Sequence, residues 1–276
     1  MVSGTIGLDG RTVARLGFGA MRITGPGIWG EPRDPDEARR VLRRAVELGV
    51  TFVDTAHSYG PEVSERLIGE TLSPFPDDLV VATKAGLQRG GPSSWVPDGR
   101  PQTLRRDVER SLELLRTERL DLLQLHAVDP RVPLEESVGT LVELRDEGKV
   151  DLIGLSNVSV DELERARELT PIVSVQNRYS LGDRSSEDVL RASERLGIAF
   201  IPWYPLGAGS VADDSAVAQI ARNRGATPFQ VALAWLLARS PAMLPIPGTS
   251  SVAHLEENVA AAGLELSEDE LDALAG

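Results

Sequence analysis

Eight times along this 276-residue chain a short apolar run gives way to a stretch with helical periodicity, and no other feature narrows the fold as much. The runs are Arg15–Gly19, Val50–Val53, Leu79–Thr83, Leu122–Leu125, Leu152–Leu155, Ile172–Val175, Ile198–Ile201 and Met243–Ile246. The predicted helices cover Asp36–Leu48, Glu62–Leu72, Gln102–Leu115, Leu134–Glu147, Val160–Leu169, Ser186–Leu196, the pair Ser215–Arg222 and Phe229–Arg239, and Ala253–Ala262. The first keeps Ala38, Val41, Leu42, Ala45, Val46 and Leu48 on one side, and Gly49, Gly148 and Gly197 are suited to ending helices. Ser267–Glu270 reads as an acidic start of a last helix. Parallel strands need crossovers of this length. Eight of them favour a closed (β/α)8 TIM barrel over an open doubly wound sheet. Thr5–Val13 reads as an extra β-hairpin turning at Asp9-Gly10, which we expect to cap the barrel floor. Barrels of this type reach this length undivided, so a single domain over residues 1–276 is expected.

Three successive strand ends carry polar groups. Asp54 follows Val50–Val53, with Tyr59 five residues later; Lys84 follows the next strand, and His126 the one after. In a barrel those ends share one rim, where the chemistry of the fold is done. Reducing a carbonyl with hydride requires a proton for the developing alkoxide. A phenol can supply it, but its ordinary pKa of about 10 is high for neutral pH. A neighbouring ammonium would lower that value by favouring the phenolate. Asp54 would keep Lys84 charged and oriented, and His126 could donate a hydrogen bond to the substrate oxygen. Gly86–Pro101 reads as a long irregular loop containing Trp95, forming part of the wall over the pocket.

Composition removes other functions. A net charge of -13, from 29 basic and 42 acidic residues, argues against nucleic acid and against an anionic membrane surface. The chain has no Cys, which excludes disulfides, thiolate metal sites and thiol nucleophiles. Its three His form no His-x-His or Glu-x-x-His pair, and Lys84 would repel a cation beside Asp54. A metal-dependent barrel hydrolase is therefore disfavoured and no metal is expected. No run reaches transmembrane length, and Met1–Gly4 lacks the features of a leader, so a cytoplasmic location is the default expectation. Oligomeric state is not legible.

Several stretches together resemble the aldo-keto reductase family: Phe52–Ala56 with Tyr59-Gly60, Ala82–Lys84, Asp121–His126, Gly148–Val150 with Ile153–Asn157, and Pro245–Thr249. The likeness runs from the hairpin to about residue 262. It implies NADPH-dependent reduction of small-molecule aldehydes or ketones, with Tyr59 as general acid, Lys84 and Asp54 tuning it, and His126 orienting the carbonyl. Gly19–Arg22 with Gly25–Gly30 is similar to the bacterial pyridoxal reductase (pyridoxine 4-dehydrogenase) subgroup, which points to pyridoxal as a candidate substrate and puts Met21 and Arg22 on the cofactor side. The family binds its dinucleotide without a Rossmann domain, and Gly17–Arg22 indeed lacks the third glycine of that fingerprint. Ser156, Asn157 and Gln176 match carboxamide-binding positions, and Trp203 the aromatic stacked on nicotinamide. Tyr204, Pro205, Leu206 and Gly207 match the pyrophosphate side. Gly248, Thr249, Ser250 and Ser251 match the adenosine-phosphate loop at a helix start, with Glu257 and Asn258 on the adenine side. Trp29, His57 and Trp95 are expected on the substrate side. Relatives often carry Lys or Arg in the phosphate loop; here it offers hydroxyls, with His254 where others have Arg. The implied cofactor is NADP(H), and the missing charge leaves NAD(H) as the alternative. The alternative function is a cofactor-retaining redox-sensing or binding protein with slow turnover.

Overall fold

A computed structural model describes residues 4–275; residues 1–3 and 276 of the expected domain lie outside the described residues. The chain opens with an antiparallel hairpin, β1 (Thr5–Leu8) and β2 (Arg11–Ala14). At its turn Asp9 and Gly10 take φ of 42° and 88°, the left-handed conformation that a two-residue turn of this kind demands. The alternating part follows: β3 (Phe18–Gly19), α1 (Pro35–Glu47), β4 (Phe52–Asp54), α2 (Val63–Leu72) and β5 (Val80–Ala85). A second hairpin, β6 (Leu87–Gly91) and β7 (Ser94–Pro97), precedes α3 (Pro101–Leu115). Then come β8 (Leu120–Leu125), α4 (Leu134–Asp146), β9 (Val150–Ser156), α5 (Val160–Arg167), β10 (Ser174–Arg178), α6 (Glu187–Leu196) and β11 (Ala199–Trp203). The last part of the chain is helical, with α7 (Ser215–Arg224), α8 (Pro228–Arg239), α9 (Val252–Ala260) and α10 (Glu268–Ala275). Among the described residues no helix is long and apolar enough to cross a membrane.

Seven strands form one parallel sheet in the order β11-β10-β9-β8-β5-β4-β3. Residues 242–247 close it. Phe200 N donates to Ala242 O (2.8 Å) and Leu244 N to Phe200 O (2.9 Å) on one side. Gly17 N donates to Pro245 O (2.9 Å) and Gly19 N to Pro247 O (3.5 Å) on the other. The expected eighth strand is thus an extended segment with one parallel bridge, Phe200 to Met243. Pro245 and Pro247 have no N–H to give, so they can accept across the seam but cannot complete a ladder. The ring is the expected (β/α)8 barrel.

Strand alternation divides the core in two. Inward-facing Phe52, Val80, Ala82, Leu122, Leu152, Ala199, Ile201, Leu244 and Ile246 pack with Leu8 and Val13 of the hairpin, which plugs the barrel floor as expected. Arg11 fastens the plug, with ion pairs to Asp121 (3.1 Å) and Asp151 (2.7 Å). Outward-facing Val53, Val81, Leu123, Ile153 and Val175 pack under the helices. Two residues further along several strands the inward position turns polar or aromatic: Asp54 after Phe52, Lys84 after Ala82, Gln124 after Leu122, Trp203 after Ile201. That change in inward chemistry separates an apolar floor from a polar rim.

Gly86–Pro101, expected as an irregular loop, instead contains the β6–β7 hairpin. Its register shifts between Gln88 and Gly91, and that irregularity hides the period-2 signal in the sequence.

The seam leaves no room for a side chain. A Cβ at Gly19 would lie 2.6 Å from Ile246 O, a backbone atom of the closing segment. Gly19→Ala should therefore cost about 1–3 kcal/mol, as overpacking does. The measurement is a fall in the urea midpoint at unchanged slope; an unchanged midpoint would show that the seam can yield.

Candidate active site

The sequence buries a lysine. Lys84 closes the inward face of β5 and is 1% exposed. Its ammonium has three oxygen partners: Asp54 Oδ1 at 2.6 Å, Thr55 O at 2.9 Å and Tyr59 Oη at 3.4 Å. Asp54 turns its other oxygen to Gln176 Nε2 (2.8 Å) and Gln124 Nε2 (3.3 Å). Side chains from β4, β5, β8 and β10 thus converge on one ion pair, which only a closed ring of strands permits. Burial opposes the charge on Lys84, but Asp54 and Tyr59 outweigh it and hold its pKa above the ordinary value.

Tyr59 and His126 stand beside this pair. Their rings meet edge to face, centroids 5.9 Å apart, and both line the cavity. His126 Nδ1 lies 3.3 Å from Ser58 Oγ. A Ser58 hydroxyl that donates there selects the tautomer with the proton on Nε2. Desolvation, then the Lys84 charge, holds His126 well below its usual pKa, so it is a neutral donor. Tyr59 departs from the expected direction. Burial raises its pKa above the ordinary 10, and the Lys84 ammonium only partly pulls it back. The phenol is consequently protonated at neutral pH, ready to give a proton away.

The cavity measures about 360 Å³. Of the sequence-predicted residues, Met21, Arg22, Ser156, Asn157, Gln176, Trp203, Tyr204, Pro205, Leu206 and Gly248 line it alongside Asp54, Tyr59, His126 and Trp95. Lys84 sits behind Asp54 and Tyr59. Asn157 takes φ 58° and gives Nδ2 to His126 O (3.0 Å) and Ser156 Oγ (3.0 Å), while Trp203 Nε1 donates to Asn157 Oδ1 (2.9 Å). Ser156, Asn157 and Trp203 are therefore linked to the backbone of His126, directly after β8. Gly207 opens onto a second recess of about 70 Å³ next to Leu206. Thr249, Ser250, His254, Glu257 and Asn258 lie beyond the cavity walls, along the start and first turns of α9. Glu257 accepts the Thr227 hydroxyl at 2.6 Å.

Two residues expected on the substrate side lie off the cavity wall. His57 does not line the cavity; its ring is turned between Glu65 Oε2 (3.6 Å) and Asp107 Oδ1 (3.7 Å), behind the Tyr59 loop. Trp29 is one layer removed, with the Arg89 guanidinium 5.5 Å from its ring centroid. Arg89 lies 3.6 Å over the Trp95 ring and donates to the carbonyls of Gly27, Ile28, Ser58, Gly91 and Pro92. It bolts the β6–β7 hairpin to the Gly25–Gly30 loop. Ile28, Leu87, Ile246 and Pro247 also line the cavity, unmarked in the sequence as functional. Gln124 could have been found, since it shares the inward face with His126 at a spacing of two. Among the described residues no group of three His, Asp or Glu could hold a metal.

The chain resembles known proteins in sequence and in fold. The family model described as "Aldo/keto reductase family" matches residues 15–276. The chain is 44% identical to pyridoxine 4-dehydrogenase of Escherichia coli (strain K12), over 100% of this chain and 99% of that protein. It is 47% identical to an uncharacterized oxidoreductase of Schizosaccharomyces pombe, covering 97% of this chain and 87% of that one. Among solved structures, the aldo-keto reductase from Klebsiella pneumoniae in complex with NADPH superposes with a TM-score of 0.84 at 26% identity, covering 99% and 94% of the two chains.

The ion pair generates a stability prediction. Lys84→Met leaves Asp54 buried without its counter-charge and should cost about 3–5 kcal/mol. The double variant Asp54→Asn/Lys84→Met should recover most of that loss, because neither buried charge remains. Denaturant unfolding of both variants checks this; two additive losses would mean that the charges do not act as a pair.

Proposed function

Because the chain belongs to the aldo/keto reductase family, we propose that the groups around its cavity reduce an aldehyde or ketone, with Tyr59 delivering the proton and NADP(H) as the cofactor. The observation that carries this reading is the Tyr59 hydroxyl 3.4 Å from the Lys84 ammonium, on the wall of a cavity that it shares with neutral His126. His126 donates to the carbonyl oxygen and polarises it. Tyr59 gives its proton to the oxygen as negative charge develops, and the neighbouring ammonium stabilises the phenolate left behind. Asp54, held by Gln124 and Gln176, keeps the ammonium aimed at Tyr59.

The residues present suit a nicotinamide dinucleotide, which supplies the hydride when bound. Ser156, Asn157 and Gln176 would hold the carboxamide, which needs both donors and acceptors. Trp203 offers a ring face on the same wall, and Gly248 brings backbone to the cavity wall with no side chain to screen it from phosphate oxygens. Gly248 could not bear a side chain, since its Cβ would meet Gly19 O at 2.6 Å. Arg22 stands on the cavity edge beside Gly248, exposed, its side chain making no hydrogen bond or ion pair with another described residue. It supplies the cation that Gly248–Ser251 lacks. Glu37 works in the opposite sense. Its Oε1 accepts from Val252 N (3.1 Å) at the start of α9, an amide that would otherwise face a phosphate.

For substrate we propose a small aromatic aldehyde of the pyridoxal kind. The support is the match to pyridoxine 4-dehydrogenase together with a wall built from Ile28, Leu87 and Trp95. The decisive experiment is a carbonyl panel that includes pyridoxal, followed by loss of reduced-nicotinamide absorbance.

Three outcomes are expected. Tyr59→Phe should lower kcat for reduction by roughly 10²–10⁴-fold with little change in NADPH affinity; retained turnover would mean that another group gives the proton. Since reduction needs the protonated phenol and burial raises its pKa, the limb belonging to Tyr59 should lie above pH 10. A profile of kcat against pH that places the tyrosine limb below 10 would contradict the burial argument. NADPH should be preferred over NADH in kcat/KM, with Arg22→Ala reducing that preference about ten-fold, the worth of one charged hydrogen bond. Glu37→Gln should increase it, and an Arg22→Ala enzyme with an unchanged ratio would remove Arg22 from cofactor selection.

A further inference from the structure

His57 is the one histidine with a job that neither the proton donor nor the cofactor explains. It lies midway between Asp54 and Tyr59, in the turn that carries the donor. Its N–H reaches Lys84 O (3.1 Å), and its carbonyl accepts from Glu62 N (2.9 Å), just before α2. The ring points away from the cavity into a pocket of acid. Glu65 on α2 and Asp107 on α3 both have fully buried side chains, while the imidazole side chain is 13% exposed. Glu65 Oε1 accepts the Thr83 hydroxyl (2.5 Å), whereas Oε2 has no hydrogen-bond partner and faces Nδ1 at 3.6 Å. Among the described residues His57 is the only group of potential positive charge paired with Glu65. Asp107 also accepts from Gly86 N (3.2 Å) and Gln88 Nε2 (2.7 Å), which begin the hairpin wall.

We infer that His57 is a positioning residue: its imidazolium, wedged between the Glu65 and Asp107 carboxylates, clamps the Tyr59 turn to α2, to α3 and, through Asp107, to the hairpin that walls the cavity. A buried carboxylate with an orphaned oxygen is costly unless a charge faces it. The two carboxylates also repel each other once the imidazolium between them is neutralised. The inference rests on Tyr59 being the proton donor only in how it is read out kinetically.

Charges surround the ring on several elements. Glu65 comes from α2 and Asp107 from α3, with Glu62 at the turn before α2. Arg106 reaches Asp107 from the solvent side (3.0 Å), and Arg110 pairs with Glu62 (2.9 Å). On β5 the neighbouring charge, Lys84, points inward to Asp54. Burial alone would favour the neutral ring, but Glu65, then Asp107 and Glu62, outweigh it and raise the pKa above the ordinary 6.5. The pairing form is the protonated one. Its stabilisation is complete below about 6.5, the unfolded value, and is lost as pH rises through the higher folded value.

The chain has only three histidines, so nitrogen-15 NMR of imidazoles can follow each one, with His57→Gln assigning the resonance. The expected result is a His57 midpoint above 6.5 in the wild type. Over the same pH range kcat for reduction should fall about ten-fold, as sub-ångström misplacement of a reacting group does, while KM for NADPH holds. Glu65→Gln removes one carboxylate and should move the NMR midpoint and the kinetic limb to lower pH together. His57→Gln should show the reduced kcat already at neutral pH, with no limb until that of Tyr59. A wild-type midpoint at or below 6.5 would overturn the proposal, as would a limb that stays while the midpoint moves, or wild-type kcat and pH profile in His57→Gln. If instead Tyr59→Phe keeps its turnover, the donor assignment fails while the His57 midpoint stays where it is, so the two failures are separable.

Discussion

The rim is organised around a lysine ammonium and an aspartate carboxylate that have almost no contact with solvent, their side chains 0% and 2% exposed. Taking such charges out of water costs several kcal/mol per ion, and their mutual attraction offsets this only when every remaining donor and acceptor is satisfied. Here that condition is met by groups from far apart in sequence. Thr55 O and Tyr59 Oη take the spare ammonium protons, and Gln124 and Gln176, on β8 and β10, take the second carboxylate oxygen. The pair is therefore as sensitive to barrel closure as any apolar contact is. A slip of one residue in any of the contributing strands would turn its polar residue outward and strand a charge. Glycines serve the same arrangement from the other side. At Gly154, between β8 and β10, a Cβ would sit 3.0 Å from Gln124 Cγ and 2.3 Å from Ser174 Oγ. The small residue in β9 makes the space that Gln124 uses to reach Asp54.

The sequence discloses the features that obey local rules. Strand and helix periodicity, the Asp9-Gly10 turn and polar residues at strand ends are all read within windows of a few residues. They lead to the barrel, to its plug and to the gathering of Asp54, Tyr59, Lys84 and His126. The features it conceals share a different character. The His57 partners are eight and fifty residues away on two different helices, so no local pattern could show that its ring faces Glu65 and Asp107 instead of substrate. The β6–β7 hairpin is concealed by its own register shift, and the eighth strand, although legible, pairs incompletely because its prolines accept hydrogen bonds without donating any. The direction of the Tyr59 shift turns on burial against charge. A sequence shows that Lys84 is near but not that the phenol has left water, and burial is the larger effect.

Arg89 has a consequence beyond the geometry of the wall. Its guanidinium is spread over five backbone carbonyls and a Trp95 face, with no carboxylate partner among the described residues. Lysine could match neither the planar fork nor the stacking, and carries only three donors. Because the partners are main-chain atoms, no compensating side-chain change elsewhere can stand in for the lost contacts. Descent with modification is thereby made uneven around this cavity. Ile28 and Leu87 can drift one at a time and reshape what the enzyme accepts. The arginine between the tryptophans can be surrendered only together with the loops it joins, so substrate range in this lineage should change by small steps within a preserved frame or by wholesale replacement of it.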